Sequence, residues 1–339
     1  GRAFITHRQD DLCVSSAYIK HGNHPLKGVT VPLVTPLKED GSPDLDAFPR
    51  IVEHVLEGGA DAVFVLGSNG ENPNVLADEI GPVVRAVSDC LVSLGVRDAV
   101  PLMCGTGGAS TREAVKRGEA ALAAGADVLV AHAPCYFMHA ESELVAHLRE
   151  IAKLGAPLVV YNIPRYTQNP ITPEVYQAAF ELPNVIGAKD SSGDEGLFLE
   201  IVRLAGNREG LGVSQGAERK LAWALSHGAT GITPGLANIA PGTCAELFRA
   251  AVSGRRDEAE RLQERLDRLG AIHRLRSGIA GTKGAMAVLG LCAARVSPPF
   301  FPLSREEMAE VERILRDCGV VGETPQAQRA RLDGAGRES

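Results

Sequence analysis

Lys189 closes the apolar run Val185-Ile186-Gly187-Ala188, and it is one of eight lysines set against 27 arginines. An amine at the end of such a run loses hydration, and that loss favours its neutral form. A neutral amine attacks a ketone and forms a Schiff base. The position equally suits a lysine that snorkels to solvent or pairs with Asp190. The stretch Gly67-Ser68-Asn69-Gly70-Glu71 places two small polar residues between glycines. It is either an ordinary polar turn or a nest of exposed backbone N–H groups that binds a carboxylate. Two of the five tyrosines close similar runs, in Ala133-Pro134-Cys135-Tyr136 and in Tyr161-Asn162-Ile163-Pro164. Each is either a proton carrier or a packing residue with a wet hydroxyl. Together an amine, a carboxylate nest and phenols suit a 2-keto acid. The amine condenses at the ketone, the nest holds the carboxylate, and a phenol moves protons. The iminium is the electron sink, so this chemistry calls for no cofactor and no metal. The nine histidines are scattered and show no H-E-x-x-H spacing.

Such residues must converge, which requires elements that end at one place. Short β-branched runs at 28–34, 61–66, 99–104, 127–131, 157–161, 184–189, 210–214 and 229–233 read as eight strands. Each of the first seven is followed by a helix-length segment, the pattern of parallel strands joined by crossover helices. Gly59-Ala60-Asp61-Ala62-Val63, Gly125-Ala126-Asp127-Val128-Leu129 and Gly228-Ala229-Thr230-Gly231-Ile232 repeat a helix-ending glycine just before a strand. Their spacings are roughly two and three times a βαβ unit of about 33 residues. Eight units fill a (β/α)8 barrel, whose strands all point their C-terminal ends at one mouth. The rival open sheet carries a Gly-rich fingerprint after its first strand. Here that strand leads into Thr35-Pro36-Leu37-Lys38-Glu39-Asp40-Gly41. The predicted architecture is therefore α/β, a TIM barrel over 27–254. Residues 1–26 read as an arm, 255–318 as a C-terminal helical extension (helical at 255–275, 280–290 and 304–317), and 319–339 as a flexible tail.

The 339 residues carry a net charge of −7, with both signs mixed, and no basic stripe marks a nucleic-acid surface. With 45 % hydrophobic and 23 % charged residues the chain can bury a core. Aromatics at 4 % and 37 glycines favour Ala-rich helices around small strands over an aromatic-cored sandwich. No apolar run reaches the length of about 20 residues that spans a bilayer, so no membrane partner is expected. The seven cysteines are widely spaced without a C-x-x-C, which points to a reducing cytoplasm. Gly1-Arg2-Ala3-Phe4-Ile5 carries neither an initiator Met nor a signal-peptide core and reads as a trimmed end.

Gly67-Ser68-Asn69-Gly70-Glu71, Pro134-Cys135-Tyr136, Tyr161-Asn162-Ile163-Pro164 and Gly187-Ala188-Lys189-Asp190, in that order, resemble the dihydrodipicolinate synthase / N-acetylneuraminate lyase superfamily of Schiff-base class I aldolases. The resemblance covers roughly residues 27–317. It implies that Lys189 forms an imine with pyruvate or a related 2-keto acid and that Tyr161 is the general acid/base. It implies that Ser68 relays protons between tyrosines and that the Ser68 and Asn69 backbone grips the carboxylate. Tyr136 takes the family position that reaches across a dimer interface, so a homo-oligomer is expected, a dimer or a dimer-of-dimers tetramer. Gly187 keeps a close backbone approach beside the lysine. Two departures concern the second substrate. Dihydrodipicolinate synthases carry a carboxylate-binding arginine two residues past the proline of their Tyr-Asn-x-Pro motif; here Tyr166 stands there and Arg165 lies one residue early. Sialate lyases use an acidic pair and a serine; Gly216-Ala217-Glu218-Arg219 keeps one acid, and Gly235 replaces the serine. Specificity is expected from Arg165, Tyr166, Met138 and the loops 216–219 and 234–238. The Gly-Ser-Asn-Gly-Glu form and Gly278-Ile279-Ala280-Gly281-Thr282-Lys283 look more like 4-hydroxy-2-oxoglutarate and ketodeoxy sugar-acid aldolases or dehydratases, the expected lyase activity. The alternative is 4-hydroxy-tetrahydrodipicolinate synthase, which condenses pyruvate with aspartate semialdehyde. A catalytically silent keto-acid binding protein is the non-enzyme alternative.

Overall fold

Eight short parallel strands close on themselves in the order of the chain. They are β1 (Gly28–Pro32), β2 (Ala62–Val65), β3 (Leu102–Gly105), β4 (Val128–His132), β5 (Leu158–Asn162), β6 (Val185–Asp190), β7 (Gly212–Gln215) and β8 (Gly231–Ile232). Pairing of Gly28 with Gly231 and of Val29 with Ile232 shuts the barrel. The computed structural model describes residues 24–206 and 208–321. Most of the expected arm and tail, 1–23 and 322–339, lies outside the described residues.

Alternation builds two apolar layers from each strand. Phe64, Met103, Val130, Val159 and Tyr161 point into the barrel, and Leu26 joins them from the chain just before β1. Val63, Val65, Cys104, Leu129 and Val160 point outward under the helices. Burial on both faces explains why the strands read as nearly continuous apolar runs. The outer layer is α1 (Phe48–Glu57), α2 (Ile80–Ser93), α3 (Thr111–Ala123), α4 (Glu141–Ala152), α5 (Pro173–Phe180), α6 (Glu195–Gly206), α7 (Leu221–Ser226) and α8 (Pro241–Val252). Ser110 and Thr172 cap α3 and α5 by accepting from the Glu113 and Val175 amides. The repeated glycines Gly59, Gly125 and Gly228 do end helices, at φ of 92°, 105° and 98°.

The expected extension is α9 (Arg256–Leu269), α10 (Gly278–Val288) and α11 (Arg305–Asp317). In α10 all residues from Ala280 to Met286 are buried, although the stretch contains Thr282 and Lys283. Ser304 and Glu307 form a capping box at the start of α11. Among the described residues no helix is long and apolar enough to cross a membrane, and the six described cysteines are free.

His147 on α4 shows what burial does to a titrating group in this scaffold. Its Nδ1 lies 3.0 Å from Thr111 Oγ1 and its Nε2 lies 3.2 Å from the His132 carbonyl. A neutral imidazole satisfies both contacts, by accepting from the hydroxyl and donating to the carbonyl. Burial lowers its pKa from 6.5 to about 4. The unfolded chain takes up this proton first as pH falls. The stabilisation is therefore complete above pH 6.5 and is lost progressively toward pH 4, by about 3 kcal/mol for this one group. Burial lowers His24, His54 and His132 in the same direction. Urea midpoints measured from pH 7 to 4 are expected to fall steeply for the native chain and less steeply for His147→Gln. Parallel curves would contradict this assignment.

Candidate active site

Simple alternation does not deliver Lys189 to the barrel interior. Ile186 faces inward, and counting by twos from it would turn Lys189 toward the helices. The register breaks that count. Leu158 pairs with Val185, but Val159 pairs with Gly187, so Ile186 is an extra residue in β6. This bulge reverses the parity of everything after it. Lys189 then pairs with Tyr161 on the inward face, and Ala188 turns outward into the helix-facing core. Gly187 makes the bulge possible. It sits at φ +143°, and a Cβ there would lie 1.9 Å from the Gly212 carbonyl oxygen. The close approach expected of Gly187 is thus a contact with β7.

Lys189 is buried, with 5 % exposure. Its Nζ lies 4.0 Å from the Tyr161 ring centroid and 5.0 Å from that of Phe64. Asp190 does not pair with it. That carboxylate accepts from Asn162 Nδ2 at 2.8 Å and from Ser192 Oγ at 2.8 Å. Burial raises the Asp190 pKa against these bonds. Among the described residues Lys189 joins no salt bridge, and an amine without a counter-ion is what nucleophilic attack requires. Gly216 leaves it room, because a Cβ there would stand 2.9 Å from Lys189 Cε and 2.2 Å from Ser191 Oγ.

The Tyr161 hydroxyl lies 3.5 Å from Ser68 Oγ, the outer limit of a hydrogen bond. His132 packs edge-on against the same ring, with centroids 6.5 Å apart. Ser68 and Asn69 follow β2 in a turn flanked by two left-handed non-glycine residues, Leu66 at φ 55° and Glu71 at φ 53°. Such backbone costs about 1–3 kcal/mol per residue and persists only where its surroundings enforce it. All four non-glycine residues with positive φ among the described residues lie on loops at the C-terminal ends of strands; the others are Tyr136 and Gln168. Within the turn Glu71 N–H donates to the Ser68 carbonyl at 3.2 Å. The Ser68 and Asn69 amides form no hydrogen bond among the described residues.

The other expected site residues lie farther out. Tyr136 is 76 % exposed, in a row with exposed Phe137 and Met138. Arg165 and Tyr166 occupy the single helical turn Pro164–Thr167. Both are exposed, and the guanidinium lies 5.2 Å from the Tyr166 ring centroid. Neither meets Lys189 in this chain. On the opposite side, Asn69 and Glu218 converge beside Gly235; a Cβ on that glycine would lie 2.8 Å from Asn69 Nδ2 and 3.0 Å from Glu218 Oε1. Glu218 accepts from the Leu236 amide at 2.8 Å and pairs with His273 Nδ1 at 2.9 Å. His273 Nε2 lies 3.1 Å from Thr282 Oγ1. Burial alone would lower the His273 pKa, but the charge and hydrogen bond of Glu218 together outweigh it and raise the pKa. Among the described residues no three His, Cys, Asp or Glu side chains gather as a metal site.

The model of the dihydrodipicolinate synthetase family matches residues 25–318. The chain belongs to this family. Its curated relatives include the 4-hydroxy-tetrahydrodipicolinate synthase of Phenylobacterium zucineum, 33 % identical over 297 residues (87 % of this chain and 98 % of that one). The synthase of Jannaschia sp. is 32 % identical over 300 residues, 87 % of this chain and 99 % of the other. Among solved structures, YagE of Escherichia coli K12, a prophage protein of the same family in complex with pyruvate, is 25 % identical. It superposes with a TM-score of 0.81 over 87 % of this chain and 99 % of its own. A monomeric dihydrodipicolinate synthase variant is 26 % identical, with a TM-score of 0.82 over 88 % and 98 % of the two chains. Family membership makes the chain a lyase-type aldolase on a (β/α)8 scaffold.

Sequence reasoning missed Phe64 under the amine, the Glu218–His273–Thr282 chain and the buried ion pair between Lys283 and Glu71. Phe64 had a signal in the alternation of β2. The other two bring together residues far apart in the chain.

Proposed function

We propose that this chain is a Schiff-base class I enzyme acting on pyruvate, and that it condenses pyruvate with aspartate semialdehyde. The observation that carries the first part is the buried Lys189 amine over the Tyr161 ring, in no salt bridge among the described residues, with the Tyr161 hydroxyl 3.5 Å from Ser68. The keto-acid carboxylate binds at the Ser68 and Asn69 amides, which places its carbonyl toward Lys189. The amine attacks C2, and the carbinolamine leaves water after Tyr161 protonates its oxygen. Loss of a proton from C3 of the iminium gives an enamine. Its β-carbon attacks the aldehyde carbon of the partner, and the new alkoxide takes up a proton. The partner's own amino group then attacks C2 and displaces the Lys189 amine, closing a cyclic imine and freeing the enzyme. Tyr161 serves these transfers as acid and base, with Ser68 as the next group in the relay. A silent binding protein would have no use for this amine and phenol set side by side.

The choice of partner rests on the curated relatives, named for the synthase at 30–33 % identity along nearly their whole length. One observation favours the second reading, aldol cleavage of 4-hydroxy-2-oxoglutarate or a ketodeoxy sugar acid. Tyr166 occupies the expected arginine position, and Arg165 turns outward onto it. Parallel assays separate the two. Pyruvate with aspartate semialdehyde is expected to give at least about tenfold higher kcat/KM than cleavage of 4-hydroxy-2-oxoglutarate, a preference of about 1.4 kcal/mol. The reverse ranking would transfer the assignment to the cleaving aldolase. The exposed row Tyr136-Phe137-Met138 is the face we assign to a second copy of the chain, and sedimentation of the full chain distinguishes monomer from dimer.

A further inference from the structure

Lys283 is as deeply buried as any lysine can be, and it lies outside the barrel, on α10. Its ammonium pairs with Glu71 Oε1, and the two side chains are 0 % and 1 % exposed. Glu71 Oε2 accepts from the Ser297 amide at 2.8 Å. Both carboxylate oxygens are therefore held by the C-terminal extension, from two different segments. Glu71 is also the left-handed residue that closes the Ser68–Asn69 turn. The rest of that turn is held by the barrel itself. Thr35 Oγ1 donates to the Gly70 carbonyl at 2.7 Å, and Asn72 Nδ2 donates to the Leu66 carbonyl at 2.8 Å.

From this arrangement we infer that Lys283 is a positioning residue for the keto-acid carboxylate, acting through Glu71 on the Ser68–Asn69 turn. The inference rests on the Schiff-base reading above and extends it. A turn with a strained residue at each end relaxes when its anchor is lost, and its N–H groups then point elsewhere. A neighbouring link supports the same role for α10. Thr282, the preceding residue, reaches Glu218 through His273, and Glu218 holds the Leu236 amide. One buried helix thus ties the loops after β2, β7 and β8. Lys283 cannot itself be the condensing amine, because it is sealed from solvent and bound to a carboxylate.

The test uses the full chain, pyruvate and borohydride, and reads two quantities: the pyruvate concentration giving half-maximal imine trapping, and the limiting trapping rate. Lys283→Met is expected to raise the half-saturating concentration about tenfold or more, because small misplacements of binding groups cost that much. Its limiting rate stays within about threefold, since Lys189 is untouched. The double variant Glu71→Gln with Lys283→Met leaves no unpaired buried charge, so its melting temperature recovers toward wild type. Its half-saturating concentration is expected to stay high. An unchanged half-saturating concentration in Lys283→Met, or one that follows melting temperature through the series, would make the pair merely structural and overturn the inference. Should Lys283→Met not fold, the double variant decides alone: a raised half-saturation supports the role and a wild-type value refutes it. Absence of trapping in the wild-type chain would instead remove the Schiff-base reading, and the positioning role with it.

Discussion

Lys189→Arg is expected to lower kcat by at least about three orders of magnitude while the barrel remains folded. The guanidinium stays protonated at every accessible pH and has no lone pair to offer a ketone. Its head is also larger and planar, where the Lys189 amine now lies 4.0 Å from the Tyr161 ring centroid and 5.0 Å from that of Phe64. Removing covalent catalysis leaves only carboxylate binding and the Tyr161–Ser68 pair. The measurement is kcat at saturating pyruvate beside the melting temperature of the same preparation. A folded variant that keeps more than a few per cent of the activity would show that the amine is not the nucleophile.

Gly187→Ala is the second large effect, and here fold and chemistry fail together. The added methyl carbon would stand 1.9 Å from the Gly212 carbonyl oxygen, and the residue sits at φ +143°. The clashing atom belongs to the backbone of β7, so no rotamer relieves it. Either β6 and β7 part, or the bulge is expelled and β6 returns to simple alternation. The first route costs about 3–5 kcal/mol, from overpacking and backbone strain combined. The second restores the pairing at the price of turning Lys189 out of the barrel. Urea unfolding of this variant is expected to show a loss of that order, and any folded fraction is expected to be inactive. A stable, fully active Gly187→Ala protein would contradict the role of the bulge.

The bulge also marks the limit of what could be read from sequence. The strands were legible because short β-branched runs alternate with helical stretches, and the glycines that end helices repeat at positions 59, 125 and 228. The motif residues at the strand ends were legible because a barrel brings all those ends to one mouth. The direction of the Lys189 side chain was not, since alternation along β6 points the wrong way and only the register with β5 shows the extra residue. The Glu71–Lys283 pair spans 212 residues, and nothing local to Lys283 marks its partner. A lysine within the small-residue helix Gly278–Val288 reads as a surface charge until the packing of α10 is known. Arg165 and Tyr166 illustrate the opposite case. Their spacing already differed from the synthase motif, and the turn that carries them directs both side chains outward.

Everything proposed about catalysis depends on one amine bonding to one ketone. Incubation of the full chain with pyruvate and borohydride, followed by digestion and peptide mass analysis, tests that directly. The expected result is loss of activity together with a reduced pyruvate adduct on the peptide containing Lys189, and none on the peptide containing Lys283. Retained activity with no adduct, or an adduct confined to another lysine, would contradict the account.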